Sequence, residues 1–181
     1  MYDFENFRQH VRSLSLSQFV KKFPKPILII EKRPKIQHEK NVNLMRTQTI
    51  STAGSLLRFQ GFRLGSPPQY KALVYCFDNK KTITIGRTNN NDITLRDDSV
   101  SKAHAYFKNK STFTGFFLQR NKELWNLVDM GSENGTFING DFLEENESQT
   151  VDDGASIVIG AYYYATFFLP KTCYEYLQSL R

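Results

Sequence analysis

The feature that most limits this chain is the rhythm of its C-terminal portion, where apolar runs are short and turn residues separate them at close intervals. From Tyr70 onward the apolar stretches at 72–77, 82–85, 93–95, 104–107, 114–119, 124–128, 136–138, 156–159 and 162–169 are each shorter than a typical helix. Asp78-Asn79-Lys80-Lys81 reads as a four-residue hairpin loop joining the first two. Asn139-Gly140 is a strong hairpin signal, because both residues tolerate positive φ. Many short strands at such spacing predict an all-β sandwich of two antiparallel sheets, with about eleven strands. The continuous run Ile157-Val158-Ile159 fits a central strand. Fifteen Phe and nine Tyr suit a pleated, half-buried surface, which favours the same reading.

The first 70 residues are patterned differently. Phe4, Phe7, Val11 and Leu14, then Leu16, Phe19, Val20 and Phe23, recur at spacings of three and four, so two short helices are expected within 2–23. Ser15 with Gln18 reads as a capping box opening the second helix, and Pro24 and Pro26 end it. Residues 27–30 form a short buried strand in this reading, 31–46 a polar loop, and 47–62 one or two weak strands. Gly65-Ser66-Pro67-Pro68 is turn chemistry. The expected division is therefore a basic extension over 1–70, a sandwich domain over 71–170, and a short helix over 171–181 carrying Tyr174, Leu177 and Leu180. The extension is expected to pack on the sandwich.

Charge follows the same division. Residues 1–70 hold 12 Lys/Arg and 4 Asp/Glu, a net of +8; residues 71–181 hold 12 and 14, a net of −2; together these give the chain's +6. A basic arm admits nucleic acid or an anionic membrane as partner, but its cations are scattered among apolar positions rather than clustered, so no nucleic-acid partner is expected. No apolar run approaches the roughly 20 residues a membrane span needs. Met1-Tyr2-Asp3-Phe4-Glu5 is unlike the start of a signal peptide, and two cysteines, Cys76 and Cys173, allow at most one bridge. The expected setting is cytoplasmic, with reduced thiols.

Five turn segments carry the chemistry: Gly86-Arg87, Ser101-Lys102-Ala103-His104, Gly131-Ser132-Glu133-Asn134-Gly135-Thr136, Asn139-Gly140, and Asp153-Gly154 with Gly160. Arg87 offers a planar fork of charged donors suited to a phosphate dianion. Ser101 can donate a hydroxyl, and Lys102 adds a compact charge. Asn134 carries both donors and an acceptor, as gripping a peptide main chain requires. None of these is a nucleophile beside a base, no glycine-rich loop cradles phosphates, and no metal-ligand spacing is visible, so neither an enzyme nor a cofactor is expected. His10 and His38 lack partners spaced for a metal, and Asp97-Asp98 and Asp152-Asp153 read as turn residues.

In this order and spacing the segments resemble the forkhead-associated (FHA) domain over residues 72–170, and the wording Val100-Ser101-Lys102-Ala103-His104-Ala105 is similar to bacterial members. The resemblance implies a phosphothreonine-peptide-binding adaptor in Ser/Thr kinase signalling, whose partner is a phosphothreonine-containing protein, either a kinase or its substrate. It implies that Arg87 and Ser101 hold the phosphate with help from Lys102, and that Asn134 bonds the peptide backbone. His104 would order the loops, and Gly86, Gly135 and Thr136 would shape them. Preference for phosphothreonine over phosphoserine would rest on a pocket for the γ-methyl group, a contact worth about 0.8 kcal/mol from transfer alone. Glu133 departs from the pattern, since Ser or Thr commonly precedes the asparagine; a carboxylate facing the ligand would repel it, whereas one facing solvent costs little. A phosphate-independent interaction scaffold is the alternative.

Overall fold

The computed structural model describes residues 1–34, 62–110 and 124–180, and these build a two-layer β-sandwich with helices against one outer face. The strands expected over 47–62 and 114–119 lie outside the described residues, Phe62 apart.

The chain opens with a two-residue strand, β1 (Tyr2–Asp3), so the helix expected from residue 2 begins only at Phe4. Asp3 then caps α1 (Phe4–Val11), its carboxylate accepting from the N–H groups of Glu5 and Asn6. The Ser15–Gln18 capping box opens α2 (Leu16–Lys22): Ser15 N–H donates to Gln18 Oε1 at 2.8 Å, and Gln18 N–H donates to Ser15 Oγ. Of the apolar positions in this second helical run, Phe19 and Phe23 are buried while Leu16 and Val20 lie exposed.

After Pro26 the chain enters β2 (Ile27–Lys32), followed by β3 (Ala72–Cys76), β4 (Thr82–Gly86), β5 (Ile93–Thr94), β6 (Ala105–Asn109) and β7 (Trp125–Asp129). The rest are β8 (Thr136–Ile138), β9 (Asp141–Leu143), β10 (Ser148–Val151), β11 (Ser156–Ile159) and β12 (Tyr163–Phe168), with α3 (Pro170–Ser179) closing the chain. One sheet has the order β1-β3-β2-β12-β11-β8-β9 and the other β10-β7-β6-β4-β5. Among the described residues every pairing between these strands is antiparallel except β4 with β5, which is parallel, where the sequence reading expected antiparallel sheets throughout. Asn139 (φ 53°) and Gly140 (φ 92°) turn the β8–β9 hairpin in the conformation their sequence demands.

The loop at Asp78–Lys81 is not a hairpin. Both edges of β3 are already taken, by β1 and β2, while β4 pairs with β6 and β5 in the opposite sheet. Residues 78–81 therefore carry the chain from one layer to the other, with Asp78 accepting from Lys80 N–H to set the turn.

Two apolar cores result. Between the sheets, Phe77 stands edge-on to Phe107, Trp125 and Phe167, with ring centroids 5.1, 4.8 and 5.6 Å away. Outside the larger sheet, Phe4, Phe7, Phe19 and Phe23 pack with Cys173, Tyr176 and Leu177 of α3. Strand β2 lies between β3 and β12 and feeds both cores: Leu28 and Ile30 point into the sandwich, Ile27 and Ile29 towards the helices. Its run of four consecutive apolar residues is the mark of a strand covered on both faces. Cys76 and Cys173 are both free, and burial pushes the Cys76 thiol up to about 12.

Because Ile30 is wholly buried in the inter-sheet core, Ile30→Ala is expected to cost about 2–5 kcal/mol. A urea titration followed by Trp125 fluorescence would measure this; a loss below about 1 kcal/mol would mean that β2 is dispensable to the sandwich.

Candidate functional site

Strands β4, β6, β7, β8 and β11 all end or begin at one pole of the sandwich, and their loops meet there. Gly86 ends β4, Arg87 follows it, Ser101 and Lys102 lie between β5 and β6, His104 immediately precedes β6, Asn134 and Gly135 lie between β7 and β8, and Thr136 begins β8. All eight residues singled out in the sequence thus fall at this pole.

The loops are tied by bonds that leave several donors facing outward. Arg87 N–H donates to Ser101 O at 2.9 Å, and Glu133 N–H donates to Ser101 Oγ at 3.1 Å, so the Ser101 hydroxyl keeps its own hydrogen for another acceptor. Asn134 Nδ2 donates to Ser99 O at 3.0 Å, which fixes the amide while its oxygen and second N–H have no other bond among the described residues. Arg87 Nη1 donates to Asp98 Oδ1 at 2.6 Å, and Asp98 is 91% exposed. The Lys102 side chain is exposed, but its carbonyl accepts from Asn91 Nδ2 at 2.8 Å and Thr88 Oγ1 at 3.0 Å. The Glu133 side chain is exposed.

His104 is wholly buried and joins two loops through its ring. Ser101 N–H donates to Nδ1 at 3.1 Å, so Nδ1 is the acceptor and Nε2 carries the proton, which it donates to Gly135 O at 3.1 Å. Burial holds the imidazole below its ordinary value of 6.5, outweighing the bond to Gly135 O and the nearby Asp129. Asp129, also buried, accepts three bonds: from Ser132 N–H at 2.8 Å, and from Ser132 Oγ and Thr136 Oγ1 at 2.6 Å each. That carboxylate pins both ends of the loop presenting Asn134.

Two glycines are fixed by space. A Cβ on Gly86 would lie 2.3 Å from Lys102 O, a rigid main-chain atom. Gly135 has φ 80°, and a Cβ there would meet the Phe142 ring at 2.5 Å.

Several residues of the site escaped sequence reasoning. Asn91 and Thr88 orient Lys102, and Asp129 braces the Asn134 loop. Asp97 accepts from Ser99 N–H at 3.0 Å and pairs with Lys32 at 2.9 Å, linking the end of β2 to the loop that carries Ser101. Burial pushes the Asp97 carboxyl up, but the Ser99 N–H and the Lys32 ammonium outweigh it and hold it below its ordinary value. A run such as Asn89-Asn90-Asn91-Asp92 signals only a turn, and which member bonds across to another loop is set by the fold.

The protonation of His104 makes stability depend on pH. The folded state binds this proton less readily than the unfolded chain, so stability falls as pH drops from about 7 through 6.5, by at most about 1.4 kcal/mol per pH unit, until the folded imidazole is itself protonated. Denaturation midpoints at pH 7.5, 6.5 and 5.5 for the wild type and His104→Gln check this. The variant is expected to be less stable at pH 7.5 but flatter across the series, and parallel curves would contradict the assignment.

Residues 83–160 match the FHA domain family model. Proteins named oxoglutarate dehydrogenase inhibitor from Corynebacterium jeikeium and Corynebacterium efficiens are 33% and 34% identical over 84 residues, which is 46% of this chain and 49% of each relative. The chain thus spans about half the length of the curated relatives it matches. Among solved structures, the FHA domain of yeast Dun1 in complex with a doubly phosphorylated peptide is 31% identical, covering 54% of this chain and 66% of that one, with a TM-score of 0.46. Full-length yeast Pml1p is 12% identical and covers 90% of this chain and 91% of its own, with a TM-score of 0.50. The segment similar to FHA domains, residues 83–160, is the one that holds Gly86, the buried His104 and Gly135, with the loops in the order the sequence led one to expect.

Proposed function

We propose that this protein is a phosphothreonine-peptide-binding adaptor acting in Ser/Thr kinase signalling. The observation that carries the reading is the convergence of Arg87, Ser101 and Asn134 on one pole, Arg87 and Ser101 tied by their main chains and Asn134 by its side-chain amide, with each side chain left with bonding capacity. Arg87 and Ser101 would take the phosphate oxygens, with Lys102 assisting, and Asn134 would bond the peptide main chain. Gly86, His104, Gly135 and Thr136 hold those groups in place. The ligand is a phosphothreonine-containing protein, a kinase or its substrate, bound at about micromolar strength, roughly −8 kcal/mol. Glu133 bonds Ser101 through its N–H while its carboxylate is solvent-exposed, which lessens the repulsion a phosphate would meet. Free Cys76 and Cys173 fit a cytoplasmic setting.

A second reading, a phosphate-independent interaction scaffold, is favoured by one observation: Arg87 already has an anionic partner within the chain. The names of the Corynebacterium relatives, inhibitors of an enzyme, fit either mode of contact.

Degenerate peptide pools fixed as phosphothreonine, phosphoserine or threonine, titrated by fluorescence anisotropy, separate the two. The phosphothreonine pool alone is expected to saturate the wild type. Arg87→Ala is expected to weaken it about 10- to 100-fold, the loss of charge-assisted hydrogen bonds worth about 1.5–3 kcal/mol, while the denaturation midpoint holds. Equal binding of the threonine pool would instead establish the scaffold.

A further inference from the structure

We infer that Asp98 determines which phosphopeptides this site accepts: it occupies Arg87 while the site is empty, and once displaced it selects ligands carrying a basic residue beside the phosphothreonine. This rests on the phosphothreonine reading above and deepens it.

The inference starts from two adjacent carboxylates with opposite fates. Asp97 is only 7% exposed at its side chain; it is bonded to Ser99 N–H and paired with Lys32. It is part of the loop's frame. Asp98, the next residue, is 91% exposed, and among the described residues Arg87 is its only ion-pair partner. A side chain so exposed has nothing but the guanidinium to hold it, at 2.6 Å from Nη1. A phosphate dianion reaching Arg87 in a forked geometry therefore meets a carboxylate already on one nitrogen.

The displaced carboxylate stays close, because the loop that bears it is fixed. Val100 N–H donates to Asp97 O, Asp97 N–H to Leu95 O, and Arg87 N–H to Ser101 O. Asp98 therefore remains at the rim of the phosphate site after losing its partner. Glu133, across the site and joined to Ser101 Oγ through its N–H, adds a second exposed carboxylate. In the empty site the charges of Arg87 and Lys102 balance those of Asp98 and Glu133. A bound phosphate dianion leaves a local excess of negative charge, which a Lys or Arg of the ligand offsets and a Glu or Asp worsens. At an exposed rim such a contact is worth a modest factor, about 1.5- to 5-fold per charge pair.

The test uses two phosphothreonine peptides, identical except for Lys or Glu at the residues flanking the phosphothreonine, titrated into the intact wild-type protein and into Asp98→Asn at 50 mM and 300 mM salt. The wild type is expected to prefer the Lys peptide about five-fold or more at low salt. Asp98→Asn is expected to bind both peptides more tightly, gaining most for the Glu peptide, so the preference shrinks at least two-fold. An unchanged preference, with both peptides still bound, overturns the role of Asp98 and leaves the phosphate reading standing. Failure of both proteins to bind either peptide overturns that reading as well, and the inference with it.

Discussion

The burial of β2 on both faces is the constraint on which the rest of this molecule depends. Ile27 to Ile30 sit between β3 and β12 with almost no exposed area, so neither core closes without them. An edge strand could fray alone, but a strand hydrogen-bonded on both sides and packed on both faces opens only when the sheet does. Lys32, the last residue of that strand, pairs with Asp97 and lies over the Tyr163 ring. The residues that look like an appendage by charge thus hold one wall of the loop bearing Ser101. The Lys32–Asp97 pair joins β2 directly to that loop.

At the pole itself, the proposed binding would come from donors that are already aimed. His104 contributes by bonding two loops at once, and its burial selects the neutral ring that can accept from Ser101 N–H while donating to Gly135 O. Asp129 does the same for the loop between β7 and β8. A surface loop that had to be ordered by its ligand would lose about 1–2 kcal/mol per residue fixed, enough to erase a micromolar affinity within a few residues. Loops tied internally avoid that loss.

The site was more legible in the sequence than the sheets around it. Gly86, Arg87, Ser101, His104, Asn134 and Gly135 stand in short segments where steric or bonding demands admit few residue types, so their identity is informative one by one. Strand pairing is not local in this way. The turn at 78–81 has the composition of a hairpin, yet the partners of β3 and β4 are decided by strands far away in the chain. Strand β10 left no signal because it is an edge strand of Ser148, Gln149 and Thr150 with one buried residue, Val151. The bonds from Asn91 and Thr88 to Lys102 were equally silent, since a turn asparagine looks alike whichever carbonyl it meets.

The charge distribution explains why such loop fixing matters here. Residues 71–181 carry a net charge of −2, so the cations of the pole, Arg87 and Lys102, stand on an acidic part of the chain with Asp98 and Glu133 beside them. At physiological salt, fields from exposed charges fade over about 8 Å, and the basic surface of the first 34 residues can steer a phosphopeptide only weakly from farther away. On the proposed reading, recognition would then rest on contacts made at bonding distance by Arg87, Ser101 and Asn134. Those contacts would gain from geometry more than from net charge. A site with an acidic rim that still binds an anion must do so through aimed donors, which is the one thing its buried histidine, aspartate and close-packed glycines are arranged to supply.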